Sequence, residues 1–134
     1  MIVWVNGRLQ DEHEPAISAV DHGITVGNGV FETLRVYSGT LFEWDRHDER
    51  LRRSAAALAL PVPSSAVLRD AAAAVLAAND LAEARVRITV TGGPAPLGSG
   101  APDPALPTLI VAAAAPAAWP TTARVAVVPW TRNE

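Results

Sequence analysis

Two periodicities divide the chain. Residues 2–5 are an apolar, β-prone run, and Asn6-Gly7 behind them is a strong two-residue hairpin signal. This predicts a strand, a tight turn and a short return strand through Arg8 and Leu9. Residues 10–28, punctuated by Pro15, Gly23, Gly27 and then Gly29, read as irregular. Residues 30–37 return to period two. Val30, Glu32, Leu34 and Val36 share one face, with Phe31, Thr33, Arg35 and Tyr37 on the other. Glu32 breaks an apolar face, so either it is paired there or that face lines a polar pocket. Ser38-Gly39 predicts a hairpin turn, with residues 40–44 returning.

Helical periodicity follows. Asp45 is a candidate N-cap, Leu51, Ala55 and Leu58 recur at helical spacing, and Pro61 and Pro63 end the run. A second helix is predicted from Ser64 or Ser65 to about Ala78, with Val67, Leu68, Ala71, Val75 and Leu76 as its stripe and Asn79 as its stop. Residues 85–91 alternate arginine with β-branched side chains and read as a strand. The Gly- and Pro-rich stretch 92–107 reads as a loop, and residues 109–114 as a buried strand. Strands, two helices and strands again predict an α+β fold, with the helices packed on a largely antiparallel sheet. The expected division is a small domain over residues 1–115, a linker over 116–122, and the first strand of a second, truncated domain over 123–134, with residues 124–129 in that strand.

Composition narrows the function. With 134 residues, 49% of them hydrophobic, the chain has enough apolar material for a core without disulfides, and it has no cysteine to form them. A reducing, cytoplasmic setting is therefore expected. The opening MIVWVNGRLQ lacks the charged start and apolar run of a signal peptide, and the apolar stretch 71–78 is too short to span a bilayer. A net charge of -3 with no basic stripe argues against nucleic acid. All 11 basic residues are arginine, so a reaction that needs a lysine amine cannot be performed by these residues alone.

The motifs for several chemistries are missing. His13, His22 and His47 lie in separate segments without metal-ligand spacing. Asp21-His22 with Ser18 nearby lacks a GxSxG elbow, and reads as a turn-capping aspartate beside a pocket-wall histidine. The glycines at 27 and 29 precede a strand instead of following one, and the 92–100 loop has no lysine, so neither is a nucleotide-phosphate loop. The arginines remain. Arg46, Arg52 and Arg53 read as solvated helix charges. Arg50 stands next to core-facing Leu51, and Arg85 and Arg87 share one strand face. For Arg50 and Arg87 the spacing leaves two readings open, a structural ion pair or an anion site.

Four ordered segments carry a resemblance. Residues 21–37 (DHGITVGNGVFETLRVY) resemble the opening signature of class IV aminotransferases, the group of aminodeoxychorismate lyase, branched-chain aminotransferase and D-amino-acid aminotransferase. His47-Asp48-Glu49-Arg50-Leu51 followed by Ser54-Ala55 resembles that family's phosphate-arginine helix. Residues 87–93 with 96–99, and the ending VPWTRNE, are similar to its next strand and loop and to the lead-in to its Schiff-base lysine. The resemblance implies a small α+β domain covering one side of pyridoxal 5'-phosphate, with the lysine beyond Glu134 and a homodimer as the usual assembly. It implies that Arg50 binds the cofactor phosphate, that Arg87 recognises a substrate carboxylate or side chain, and that Phe31 and Arg35 line the pocket. Ile24 and Val26 stand where some aminotransferase members carry tyrosine, a departure that favours the lyase. A non-catalytic module that binds an anion or a partner is the competing expectation.

Overall fold

The computed structural model describes residues 1–14, 16–98, 100 and 104–130; Pro15, Ser99 and the last four residues of the final motif lie outside them. Strands β1 (Ile2–Val5) and β2 (Arg8–Asp11) form the first hairpin. A single-turn helix α1 (His22–Thr25) precedes β3 (Gly29–Tyr37) and the short β4 (Thr40–Leu41). Helices α2 (Trp44–Ala57) and α3 (Ser65–Ala78) follow, then β5 (Ala84–Thr91) and β6 (Leu109–Ala114). The six strands form one sheet in the order β2-β1-β6-β5-β3-β4, every neighbouring pair antiparallel. This is the α+β class that the order of elements predicts.

The core lies on one face of the sheet. Leu34, Val36, Val86, Ile88, Val90 and Val111 meet Leu51, Ala55, Leu68, Ala71 and Val75 from α2 and α3. Each large aliphatic side chain buried there stabilises the fold by about 1.5–3 kcal/mol. The period-two strands therefore have a covered face and an open one.

Both long helices end in the same way. After α2, Ala59 adopts a left-handed φ of 54°, Leu60 N–H donates to the Ala55 carbonyl at 2.9 Å, and Ala59 N–H donates to the Ala56 carbonyl at 3.1 Å. After α3, Asp80 (φ 53°) and Leu81 repeat the pattern on Ala77 and Leu76. Both are Schellman closures without the usual glycine. Asn79 ends α3 as the sequence predicts. Its side chain also ties the helix to β1, accepting from Ile2 N–H at 2.8 Å and donating to the Ile2 carbonyl at 2.7 Å.

Four local expectations change. Residues 10–28 are not wholly irregular, because β2 runs to Asp11 by pairing with β1, and α1 forms where buried Asp21 caps it. The return strand expected over residues 40–44 stops at Leu41. Helix α2 starts earlier than Asp45 predicts, because Glu43 turns the chain with a φ of 50°. Trp44 is buried there, its indole N–H donating to Ser65 Oγ at 2.9 Å. Asp45 sits instead in the first helical turn, where its charge suits the helix dipole. Finally, residues 115–130 contain no helix or strand, and Val125 and Val127 are fully exposed. Residues 124–129, expected as the first strand of a second domain, form no strand within the described residues. No helix among the described residues is long and apolar enough to cross a membrane.

Candidate functional site

Arg50 is built into position from beneath. Glu32 points to the covered face of β3 and is buried there under α2. Arg50 Nε donates to Glu32 Oε1 and Arg50 Nη2 to Oε2 at 2.6 Å, a two-pronged pairing. His47, three residues earlier on the same helix, places Nδ1 2.7 Å from the same Oε2. The carboxylate only accepts, so Nδ1 carries the proton in that bond. Burial pushes the Glu32 carboxyl up, but the hydrogen bonds and charges of Arg50 and His47 outweigh it and hold the group below its ordinary value. The bond to Glu32 in turn raises the Arg50 pKa. Glu32 is thus the paired carboxylate of the two readings that its position allows. Arg50 Nη1 makes no hydrogen bond among the described residues, and the side chain is 55% exposed. One edge of the guanidinium is fixed and the other faces outward.

Arg87 stands on the opposite, open face. Its guanidinium lies 3.6 Å from the ring centroid of Phe31, which projects from neighbouring β3. Among the described residues no acidic side chain pairs with it. The structure therefore joins Phe31 with Arg87 but puts Arg50 across the sheet from them. Arg35 shares the open face, yet it is engaged. Its Nη2 donates to Glu83 Oε2 at 2.9 Å and its guanidinium lies 4.9 Å from the Tyr37 ring centroid. A pocket of about 250 Å³ opens beside Arg87, lined by Thr33, Arg85 and Ala112–Ala114 with Met1 at its edge.

The α1 region frames β3 and β5. Asp21 caps α1, accepting from Gly23 N–H at 2.7 Å, from Thr108 Oγ1 at 2.6 Å and from Thr91 Oγ1 at 3.0 Å. It is the turn-capping aspartate expected. His22 is fully buried, not a pocket wall, and its Nε2 lies 3.1 Å from the Pro96 carbonyl. Gly93 has a φ of 74°, and a Cβ there would fall 1.7 Å from the Leu106 carbonyl oxygen, so only glycine fits. Ile24 and Val26 are exposed.

Sequence reading singles out Arg50 but not His47, its partner in the Glu32 cluster. The available signal is their three-residue spacing on one helix face, below a carboxylate that the apolar strand face cannot otherwise tolerate. Thr91 and Thr108 carry no such signal, since they lie far from Asp21 along the chain.

Comparison with known proteins now places this geometry. The family described as Amino-transferase class IV matches residues 29–134. A putative branched-chain-amino-acid aminotransferase of Methanocaldococcus jannaschii is 36% identical over 99 residues, 73% of this chain and 34% of that protein. Aminodeoxychorismate lyase of Bacillus subtilis is 37% identical over 95 residues, 69% of this chain and 32% of that protein. Among solved structures, the branched-chain amino acid aminotransferase of Escherichia coli superposes with a TM-score of 0.79 at 27% identity, covering 85% of this chain and 40% of that one. The chain thus spans about a third of the length of the curated relatives it matches. With the family pattern running through β3, the Arg50 helix and the Arg87 strand, this chain belongs to the class IV aminotransferases, a pyridoxal-phosphate-dependent family.

Proposed function

We propose that this chain is the cofactor-covering part of a pyridoxal-phosphate enzyme of the aminodeoxychorismate lyase type, which forms 4-aminobenzoate and pyruvate. The observation that carries the reading is the Arg87 guanidinium, presented on an open sheet face over Phe31 with no acidic partner among the described residues. An oriented guanidinium without a counter-ion is suited to a substrate carboxylate.

The residues fit the cofactor's phosphate. Arg50 is held along one edge by Glu32, and its outward edge keeps donors free for phosphate oxygens. When bound, pyridoxal phosphate supplies an electron sink for the carbon next to the substrate nitrogen. The protein's part is to hold and orient. Glu32 and His47 fix the Arg50 fork, so little side-chain freedom is lost when it meets a phosphate. Phe31 keeps the Arg87 guanidinium flat and aimed, and excludes water from one of its faces. Arg35 serves as a pocket wall at the far end of the same face, its charge balanced by Glu83. The amine that carries the cofactor comes from outside these residues, which include no lysine. We read residues 1–115 as the small domain, 116–122 as a linker and 123–134 as the start of a second domain. A cytoplasmic homodimer belongs to the same reading, supported by the family resemblance and by a sequence without cysteine.

A second reading, amino transfer between branched-chain or D-amino acids and 2-oxo acids, is supported by the branched-chain-amino-acid aminotransferase among the chain's relatives. Incubating the complete protein with aminodeoxychorismate, and separately with each amino acid and a 2-oxo acid, separates the two. Release of 4-aminobenzoate and pyruvate supports the lyase. Amino transfer without it supports the alternative.

A further inference from the structure

The helix side of the sheet carries a cleft that the proposed cofactor and substrate contacts do not use. It opens between the β3–β4 hairpin and α3, away from the open face that holds Arg87, and has a volume of about 330 Å³. Gly39 and Leu41 line it from the hairpin, Arg69, Ala73 and Leu76 from α3, and Trp44 from the start of α2. Trp44 and Leu76 belong to the core and Leu41 packs against it, so the cleft is apolar at its base. The indole is already fixed there. It is buried, and its N–H donates to Ser65 Oγ at 2.9 Å, so little freedom is lost when a ligand packs on it. Gly39 has no side chain and exposed Ala73 only a methyl group, so nothing fills the space between hairpin and helix.

One cation stands at the rim. The Arg69 guanidinium lies 5.2 Å from the centroid of the Trp44 ring. Its acidic neighbour is Asp45, with Nη2 donating to Oδ1 at 3.3 Å. The Arg69 side chain is 54% exposed and that of Asp45 96%, so water screens the pair and its worth is at most about 1 kcal/mol. Asp45 therefore does not hold the guanidinium against a better-placed anion, while the indole keeps it beside the cleft.

We infer that this cleft is a separate ligand site, and that it takes a small aromatic carboxylate. A flat ring fits the space beside Gly39 and Ala73 and packs against Trp44, and its carboxylate meets Arg69 at the rim. The volume lies at the small end of ligand clefts and suits an acid with a single ring. An acid without a ring loses the indole contact, and a ring without a charge loses the guanidinium. The inference does not draw on the reading of Arg87 or on the reaction proposed above.

Calorimetry with benzoate, and with benzamide as its uncharged counterpart, tests the site in the complete, cofactor-loaded protein. Each protein first carries Arg87→Gln, so that a carboxylate bound on the open sheet face does not mask the result. Benzoate is expected to bind about tenfold more tightly than benzamide, the gain from one charge-assisted contact. Arg69→Gln is expected to erase that preference. Ala73→Leu lies at an exposed helical position that accepts leucine well, and is expected to weaken both ligands by about tenfold, because the space is then filled. No benzoate binding, or binding that neither Arg69→Gln nor Ala73→Leu changes, overturns the inference. Acetate that binds as tightly as benzoate overturns it too, since the ring then contributes nothing. Repeating the titrations without Arg87→Gln keeps the two readings apart. An additional benzoate site that appears there and survives Arg69→Gln supports the Arg87 reading, whatever happens in the cleft. 4-Aminobenzoate separates the two sources of such a ligand. Tighter binding than benzoate supports the product of the lyase reaction as the occupant, and weaker binding supports an aromatic acid formed by another reaction.

Discussion

The Arg87 guanidinium lies 3.6 Å from the centre of the Phe31 ring, joining adjacent strands of the sheet across its open face. The ring orients a cation that would otherwise sweep through solvent. Phe31→Leu keeps the apolar volume but removes the π face. It is expected to lower kcat/KM for carboxylate substrates of the complete protein by about 3- to 30-fold, the span of a cation–π contact. Steady-state kinetics checks this, and equal rates for the two proteins would reject the orienting role.

Arg50 presents its outward edge to solvent while Glu32 holds the inner one. Arg50→Ala in the complete protein is expected to weaken pyridoxal-phosphate binding by about 10- to 100-fold, as for loss of a charged hydrogen-bond donor. Absorbance titration of the apoprotein measures it. Unchanged affinity would remove Arg50 from the phosphate site.

The Glu32 cluster makes stability depend on pH with a definite sign. Its carboxyl is held below the ordinary value of 4.5 in the folded chain. A depressed carboxyl contributes stability that is fully present above the unfolded value and is lost as pH falls through the folded one. Denaturant unfolding followed from pH 7 to below 4 is therefore expected to show a smaller acid loss in Glu32→Gln than in the wild type. Parallel pH curves for the two would mean that the pairing contributes nothing.

Ala59 closes α2 at a φ of 54°, a conformation that costs any residue with a Cβ. Ala59→Gly removes that strain and gives back part of the gain through a more flexible unfolded chain. The net expectation is about 0.5–1 kcal/mol of added stability. Thermal unfolding would show a higher midpoint, and a lower one would refute the strain argument.

The sequence by itself determined the types of the six strands and the two long helices, the alternation of strand faces and the residues on each. Period two on β3 and β5 is a property of the extended backbone, so Phe31, Arg85 and Arg87 could be assigned to strand faces before any packing was known. The capping chemistry of Ser64 and Asn79 is equally local. The class IV resemblance was legible because its words, from Asp21 to Tyr37 and around Arg50, are contiguous in the chain. Tertiary structure decided the rest. The start of α2 depended on burying Trp44 against Ser65, and the order of α1 depended on Thr91 and Thr108 reaching Asp21. Only the strand order showed that Glu32 lies beneath His47 and Arg50, and that Arg87 meets Phe31 and faces Ala112. Spacing can state that an inward arginine needs an anion, but the identity of that anion is a long-range contact. Such contacts follow from how the sheet assembles and the helices dock, a global packing outcome that no local pattern encodes.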